Sequence, residues 1–457
     1  SWKGASARAV LFDLFGITTN TVMLAATGQH VGKTTMSLGV FKGLVDKFGD
    51  QQVAYCKPLG QRYRDIPLGD GRVHKVDQDV EVMRNYFKLR GSWEDMSPVV
   101  FPPGFTRKVI DGQVHTNELL GRIKDAFTTL ASTADFTLLE GSGHMGVGSI
   151  VNLNNAQVAG ALGVDVVIIA EGGLGRSFDQ LALNKALLEK HGARLRGVIL
   201  NKVEPDKYEM VKDYYTRQLE SLWNKPLLGC VPYMEAISLP TMSGFAELLH
   251  GRFVAGEANR LRTFERTRLV MDSGGDNPKY EAAFNQLIVT HASNKDCVAA
   301  VIEAHRQQRV LSNGTRDLRG GLILLSDKEP ARHETAGLEE CGIPSLWVRK
   351  GDFGPEPPTK KVDPFKPPPN IDERGDMPAH YGRSMNIMKM MAQYTQKHDK
   401  DDTQRLEATM AHIQKHVDFE GLCAEAPIHT QMKRAVITKA VDFLKHGPKP
   451  AAPKTAA

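Results

Sequence analysis

A short glycine-containing loop between an apolar strand and a helix is the feature that most limits how this chain can fold. The apolar run Thr21–Ala26 leads into the loop, and a helical stretch, Lys33–Lys47, follows it. The loop fits the phosphate-binding pattern G-x-x-x-x-G-K-[ST], except that its first position is a threonine. Its residues are Thr27, Gly28, Gln29, His30, Val31, Gly32, Lys33, Thr34 and Thr35. An ordinary turn before a helix is the alternative, but strand, GKTT and helix in register favour a nucleotide site.

Each part of this loop has a chemical role in such a site. Gly32 lets the backbone curl around a phosphate, and the N–H groups at the start of the helix supply positive potential. Lys33 is expected to bridge the β- and γ-phosphates, and the Thr34 hydroxyl is expected to reach Mg²⁺. The loop therefore predicts binding of Mg-ATP, while leaving open whether ATP is hydrolysed or only bound.

Short apolar runs alternate with helical stretches from Thr21 to about Thr241. Such alternation predicts an α/β fold of the P-loop type, with a mostly parallel sheet covered by helices on both faces. A smaller α/β pattern follows, and a proline-dense stretch precedes a helical C-terminal extension. The predicted segments are an N-terminal extension (1–20), the P-loop domain (21–243), a linker (244–275), the smaller α/β domain (276–353), a Pro-rich linker (354–378), the helical extension (379–446) and a flexible basic tail (447–457).

Composition and charge exclude several classes of protein. The chain has 58 Lys and Arg against 53 Asp and Glu, a net charge of +5, so no nucleic-acid-binding surface is expected. No apolar run reaches the roughly 18 residues of a membrane helix. The five cysteines have no metal-binding spacing and favour a reducing compartment. The opening sequence SWKGASARAV resembles the end of an organelle-targeting peptide, which predicts a soluble protein of an organellar matrix or stroma, the mitochondrion first, with the cytoplasm as the alternative.

Charged residues at predicted strand ends add to the nucleotide site. Lys57 follows the strand VAYC, where it can hold an anionic substrate or simply be a surface lysine. Glu140 ends the strand FTLLE, where it can serve Mg²⁺ or cap a helix. Asp77 and Asp79 lie at a predicted helix start, where either can complete the Mg²⁺ shell or act as an N-cap.

The ordered set ATGQHVGKTT, YCKP, DQDV, LLEGSG, GVILNKV and GCVPYMEAISLPTM resembles the dethiobiotin synthetase-like P-loop family. The branch it resembles most is the N-terminal region of long phosphotransacetylases, and the resemblance covers roughly residues 21–242. Residues 276–353 resemble the DRTGG domain that follows this unit in that branch. The acetyltransferase domain has no counterpart here.

This resemblance implies a role for each matching residue. Lys33 and Thr34 would bind ATP and Mg²⁺, and Asp79 and Glu140 would complete the Mg²⁺ site. Lys57 would contact the substrate, so that Lys33 and Lys57 are the candidate catalytic residues. Asn201 of the NKV sequence would recognise the base, with Lys202 beside it; a turn asparagine is the alternative reading. A homodimer is also implied.

The departures from the family pattern bear on function. Dethiobiotin synthetase has a longer loop with acids where this chain has Gln29 and His30, which argues against diamine carboxylation. The favoured hypothesis is a Mg-ATP-binding regulatory or accessory protein that docks on a protein partner or large complex through residues 354–457. One alternative is a structural subunit of a large mitochondrial or plastid complex with a retained or vestigial nucleotide site. The other is an ATP-dependent carboxylase or ligase.

Overall fold

The computed structural model describes residues 20–235, 239–270, 284–313, 317–349, 379–394 and 402–424. The chain divides into two compact units, one made of Ser1–Met234 with His398–Ala457 and the other of Glu235–Lys397. Residues 1–19, the Pro-rich stretch and the basic tail lie outside the described residues, as do the predictions made for them. The segment boundaries taken from the sequence stay predictions.

A six-stranded parallel sheet is the centre of the first unit. Its strands are β1 (Thr21–Ala26), β2 (Val53–Cys56), β7 (Phe136–His144), β8 (Asp165–Glu171), β9 (Arg194–Val203) and β10 (Leu227–Pro232). Their spatial order is β10-β9-β8-β1-β7-β2, and every neighbouring pair is parallel. All of β1 is buried, because helices cover both faces of a central parallel strand.

Helices and two small sheets complete the α/β part of the first unit. The helices are α1 (Lys33–Phe48), α2 (Gln78–Phe87), α3 (Trp93–Met96), α4 (Phe105–Ile110), α5 (Thr116–Thr133), α6 (Asn155–Leu162), α7 (Gly175–Lys190) and α8 (Tyr208–Trp223). The small sheets pair β3 (Leu59–Gly60) with β6 (Val99–Val100), and β4 (Tyr63–Pro67) with β5 (Val73–Asp77). Both lie in the connection between β2 and β7, where they carry polar residues toward the ends of those strands.

The second unit has its own five-stranded sheet, in the order β11-β15-β14-β13-β12. Its strands are β11 (Arg252–Ala255), β12 (Arg266–Val270), β13 (Gln286–His291), β14 (Gly321–Ser326) and β15 (Ser345–Arg349). Only the pairing of β11 with β15 is antiparallel. The helices are α9 (Met242–Leu248), α10 (Lys295–Leu311), α11 (Arg332–Glu340) and α12 (Ala379–Gln393). Ile387 and Met391 of α12 are buried in the core of this unit.

The described residues 402–424, here called the C-terminal clasp, pack on the first unit. The clasp contains α13 (Thr403–Gln414) and α14 (Phe419–Cys423). A Cβ added to Gly39 of α1 would lie 2.4 Å from Ile413, and one added to Gly43 would lie 2.1 Å from Phe419. The two glycines therefore let α13 and α14 approach α1 closely, as only residues without a side chain can.

Backbone hydrogen bonds fasten the clasp to the edge strand β10. Cys230 N donates to His416 O over 3.1 Å, and Asp418 N donates to Leu228 O over 2.7 Å. Arg196 of β9 donates to the carbonyl of Leu422 over 2.8 Å. The edge of the large sheet is thus covered by a segment of the same chain, which removes an exposed strand edge.

The predicted fold class is confirmed by this architecture. A mostly parallel sheet with helices on both faces is followed by a smaller α/β unit and by helices near the C-terminal end. Within the described ranges, no helix combines the length and the apolar character needed to cross a membrane.

Candidate functional site

The loop between β1 and α1 has the conformation that its glycine predicts. Gly32 has a φ of 92°, in the left-handed region, and it is the N-cap residue of α1. A Cβ at this position would also lie 2.3 Å from Asn201 Nδ2, so backbone conformation and space both require glycine. Because α1 begins at Lys33, its first N–H groups open toward the loop as an anion site.

The other loop residues differ in exposure. Gln29 and His30 are exposed, Val31 is buried, and Gly28, Thr34 and Thr35 are half-buried. Thr27, which replaces the first glycine of the pattern, is buried, and its N–H donates to Ile169 O over 2.9 Å. Its hydroxyl has no hydrogen-bond partner within the described part of the chain.

Asn201 and Lys202, at the end of β9, form hydrogen bonds with the backbone of this loop. Asn201 Nδ2 donates to Val31 O over 2.7 Å, and Lys202 Nζ donates to His30 O over 2.5 Å. The structure thus places both residues against the loop, where their amide and ammonium groups shape its backbone. Recognition of the base by Asn201 stays a prediction.

Thr34, Asp79 and Glu140 come together beside the start of α1. The Thr34 hydroxyl lies 3.2 Å from Asp79 Oδ2 and 3.3 Å from Glu140 Oε1. Asp79 stands in the first turn of α2, and Glu140 stands in β7 and is completely buried. Three oxygen-bearing side chains separated by up to 106 positions in the sequence thus converge at one point.

Lys57 occupies the centre of a buried carboxylate cluster. Its Nζ donates to Asp77 Oδ1 over 2.9 Å and to Asp79 Oδ2, and it lies 3.6 Å from Glu140 Oε1. Burial acts to lower the pKa of Lys57, but the charges of Asp79, Asp77 and Glu140 outweigh it and hold the pKa well above its ordinary value. Lys57 is therefore a charged lysine in the interior, and the surface-lysine alternative does not describe it.

Lys33 lies near the same cluster. Its Nζ donates to Gly143 O over 3.1 Å, and Gly143 stands three residues after Glu140 in β7, which continues to His144, so Glu140 does not end this strand as the sequence predicts. Burial is the main cause that lowers the pKa of Lys33, and the charge of Glu140 partly offsets it. A buried ammonium with a neutral carbonyl as its bonded partner gains much from an anionic ligand.

Two further residues take part in the hydrogen bonds of the cluster. Tyr55 of β2 donates its O–H to Glu140 Oε2 over 2.9 Å. Asp77 accepts from Gln61 N over 3.0 Å and from Asp79 N over 3.0 Å, besides Lys57, so it is both an N-cap and a partner of the buried lysine. The sequence predicts Asp77 as an alternative to Asp79 in the Mg²⁺ shell. It gives no signal for Tyr55, which has the pattern of a core residue in an apolar strand.

Two asparagines that sequence reasoning missed bond the end of β7 and the residue that follows it. Asn155 Oδ1 accepts from Ser142 N over 3.0 Å, and its Nδ2 donates to Ser142 O over 2.7 Å. Asn184 accepts from Met145 N over 3.2 Å and donates to Thr27 O over 3.3 Å. The only sequence signal for them is a polar residue within a helical stretch, which usually indicates a solvated face.

The oxygen donors at Thr34, Asp79 and Glu140 fit a magnesium ion. Mg²⁺ prefers hard oxygen ligands and is usually held by one or two carboxylates together with substrate phosphates and waters. The described residues contain no group of three or more His, Cys, Asp or Glu side chains that could hold a metal, so a magnesium site here would rest on two carboxylates and one hydroxyl. Asp79 Oδ2 and Glu140 Oε1 both contact the Lys57 ammonium as well as the Thr34 hydroxyl, so a cation at this site would share these oxygens with Lys57.

Comparison with known proteins gives a family match over the first unit. The model of an AAA-domain family matches residues 20–241. The ATP-dependent dethiobiotin synthetase of Gloeothece citriformis is 32% identical over 221 residues, which are 48% of this chain and 90% of that protein. A phosphate acetyltransferase of Nitrosomonas europaea is 24% identical over 352 residues, which are 73% of this chain and 46% of that protein. The chain thus spans about half the length of the acetyltransferase that it matches.

A solved structure of cobyrinic acid a,c-diamide synthase from Mycobacterium smegmatis, with bound ADP and magnesium, is also similar to this chain. The sequence identity is 15%, and the match covers 48% of this chain and 88% of that one at a TM-score of 0.30.

Proposed function

Since this chain belongs to the P-loop family of dethiobiotin synthetase, we propose that it binds Mg-ATP at residues 27–35 and acts as an ATP-binding regulatory or accessory protein. The observation that carries the proposal is the position of the Thr34 hydroxyl, within 3.3 Å of both Asp79 and Glu140 and next to the first residue of α1. Two carboxylates beside the phosphate-facing end of a helix would repel a bare nucleotide, and a divalent cation resolves that repulsion.

The chain's own residues divide the binding of a triphosphate among them. The N–H groups of the loop and of the first turn of α1 would bind phosphate oxygens, and Lys33 would exchange its bond to Gly143 O for a phosphate. Thr34, Asp79 and Glu140 would hold the magnesium ion, which supplies positive charge to the phosphate oxygens when it is bound. Asn201 and Lys202 stabilise the conformation of the loop through hydrogen bonds to its backbone carbonyls.

The C-terminal clasp supports the regulatory part of the proposal. Helix α1 begins at the nucleotide loop, and α13 packs along it at Gly39. Gln414 of the clasp also donates to Asp46 of α1 over 2.7 Å. A small movement of α1 on nucleotide binding would therefore shift the clasp, which lies within residues 354–457, where the sequence predicts the contact with a partner.

Isothermal titration with Mg-ATP and Mg-ADP tests the binding step. Lys33→Ala should weaken binding by roughly 2–5 kcal/mol, more than about 30-fold, because a buried charged contact is lost. Lys42→Ala is the matched control, since Lys42 is a half-exposed lysine of the same helix that pairs with Asp46. No binding to the unaltered protein would overturn the proposal, and so would equal binding to both variants.

Hydrogen exchange of residues 403–418 tests the regulatory step. Saturating Mg-ATP should change the exchange rates of clasp amides in the unaltered protein and leave them unchanged in Lys33→Ala. A protein that binds Mg-ATP without any change in the clasp would be a nucleotide-binding protein that does not signal through this segment.

An ATP-dependent ligase is the second candidate, and the buried Lys57 favours it. A lysine held at the centre of three carboxylates, 3.6 Å from Glu140, can turn to an anionic acceptor when cations neutralise those carboxylates. The 90% coverage of dethiobiotin synthetase gives further support, and Lys57 lies within residues 20–241, which the AAA-domain family model matches. ADP release that depends on an added carboxylate, or on an amine with bicarbonate, would favour this candidate; ADP release that no acceptor increases would exclude it.

A further inference from the structure

Tyr55 is a fully buried side chain that the proposed binding of Mg-ATP leaves without a role. It lies in β2, between Ala54 and Cys56, and it is 1% exposed. Its ring makes an edge contact with Phe41 of α1, with ring centroids 6.1 Å apart. Packing alone would be served equally well by phenylalanine, so the hydroxyl group requires its own explanation.

The hydroxyl is bonded to the one oxygen of Glu140 that does not face the candidate metal site. Tyr55 donates to Glu140 Oε2, whereas Glu140 Oε1 lies 3.3 Å from the Thr34 hydroxyl and 3.6 Å from Lys57 Nζ. Because Glu140 is completely buried, its carboxylate has no water to turn toward, and its orientation is fixed by these neighbours.

The Tyr55 hydroxyl is a neutral donor to Glu140 Oε2, and the hydrogen bond between them is buried. A neutral O–H donor stabilises the carboxylate without bringing a positive charge that would compete with a metal ion. Lys57, which lies 3.6 Å from the other oxygen of Glu140, does carry such a charge.

We propose that Tyr55 is a positioning residue, which fixes the Glu140 carboxylate so that Oε1 is directed to the magnesium ion. The inference rests on the proposed function, because it assigns Tyr55 to the same metal site. Outer partners of a metal ligand contribute about 10–100-fold in metal affinity. Without the Tyr55 hydroxyl, the Glu140 carboxylate is expected to rotate, so that both of its oxygens contact Thr34 and Lys57.

Tyr55→Phe tests the proposal, with Tyr215→Phe as the matched control. Tyr215 is also 1% exposed and also donates one hydrogen bond, to Gly173 O over 2.8 Å, but it does not contact the carboxylate cluster. Both variants keep the ring and lose one hydrogen bond, and the melting temperature should fall further in Tyr55→Phe, because its partner is a buried carboxylate rather than a carbonyl. Magnesium is titrated at a fixed ATP concentration, and ATP binding is also measured in EDTA.

The expected result is specific to one variant. Tyr55→Phe should need about 10-fold to 100-fold more magnesium for half-maximal ATP binding, with binding in EDTA unchanged, whereas Tyr215→Phe should match the unaltered protein. Equal magnesium requirements in the two variants would overturn the role of Tyr55. An unaltered protein that binds no ATP, or binds it without regard to magnesium, would overturn the proposed function itself.

A second comparison separates positioning from a general loss of stability. If Tyr55 acts through Glu140, the shift caused by Tyr55→Phe should disappear when Glu140→Gln is already present. Independent, additive shifts in the double variant would show that the Tyr55 hydroxyl does not act through this carboxylate.

Discussion

The two sheets of this molecule share a parallel architecture but differ at the ends of their strands. In the first unit, Glu140 of β7 and Lys57, which follows β2, meet side chains from α1 and α2. In the second unit, His291 at the end of β13 contacts Ser293 over 2.7 Å, and Ser326 at the end of β14 donates to Lys328 O over 2.5 Å and accepts from Trp347 over 3.0 Å. Parallel strands alone therefore do not make a candidate nucleotide site; the convergence of several charged residues that are distant in sequence does.

The second unit contains a buried histidine, which lies next to Gly320, the residue that precedes β14. His305 of α10 accepts from Gly320 N over 3.3 Å and bonds to Val301 O over 2.8 Å. Asp317, 3.8 Å from His305, forms an ion pair with Arg262 over 2.7 Å. Every one of these groups has a bonded partner in its own unit, so the cluster stabilises the fold rather than awaiting a ligand.

The largest expected difference between the units concerns a buried lysine. Lys57→Met leaves Asp77, Asp79 and Glu140 buried without their cation, and it should lower the free energy of unfolding of the first unit by about 3–5 kcal/mol. Arg262→Met in the second unit should cost less, because its partner Asp317 has a 30% exposed side chain and can be hydrated. Denaturant dependence of hydrogen exchange in each unit measures both effects.

Adding Asp77→Asn to Lys57→Met provides the control. Removing one of the unpaired charges should restore part of the lost stability. If the double variant is less stable than Lys57→Met, repulsion among the carboxylates is not the cause of the loss.

A smaller effect is expected when the Glu140 carboxylate of β7 is removed, and it concerns ligand binding. Glu140→Gln should weaken Mg-ATP binding by at least about 100-fold, the upper end of what even an outer partner of a metal ligand contributes. Ser326→Ala, at the corresponding end of β14, should leave the dissociation constant unchanged. Calorimetric titration of both variants decides the matter, and an effect at Ser326 would show that the second sheet also takes part in nucleotide binding.

The smallest expected effect is the pH dependence of the second unit. Burial is the main cause that lowers the pKa of His305 below its ordinary value of 6.5. The unfolded chain then takes up the proton first, so stability is complete above pH 6.5 and is lost as the pH falls toward the lower folded pKa. Each pKa unit corresponds to about 1.4 kcal/mol.

Melting of the second unit between pH 8 and pH 5 checks this expectation, with His305→Gln as the reference. The variant should lose the part of the acid sensitivity that belongs to His305. An identical pH profile in both proteins would assign the sensitivity to other groups.

The sequence predicts the first unit well because its signals are local. Apolar runs such as Thr21–Ala26 and Val164–Ala170 are typical of covered strands, and the loop that ends in GKTT requires an unusual backbone conformation. Parallel strands bring their carboxyl ends to one edge, so strand order alone predicts that Lys57 and Glu140 lie near the loop. The roles given to these residues remain predictions.

The features that the sequence did not predict depend on partners far along the chain. Tyr55 is indistinguishable from a core residue until Glu140 is placed beside it. The spacing of Leu406, Met410 and Ile413 predicts an amphipathic helix, and these residues form the buried face of α13. The sequence does not show that the clasp packs on α1 at Gly39 and Gly43. Strands such as β11 and β12 are short and carry charged residues, so only the rest of their sheet defines them.

The clasp has a consequence for how the protein is made. Its residues 402–424 complete the unit that contains the nucleotide loop, yet the ribosome adds them after the whole second unit. Domains commonly fold in order during synthesis, the N-terminal one first. The Gly39 and Gly43 face of α1 therefore stays uncovered until the clasp has been synthesised, by which time the whole second unit has been added. A chain that stops early would carry the whole nucleotide loop on a unit that lacks the clasp.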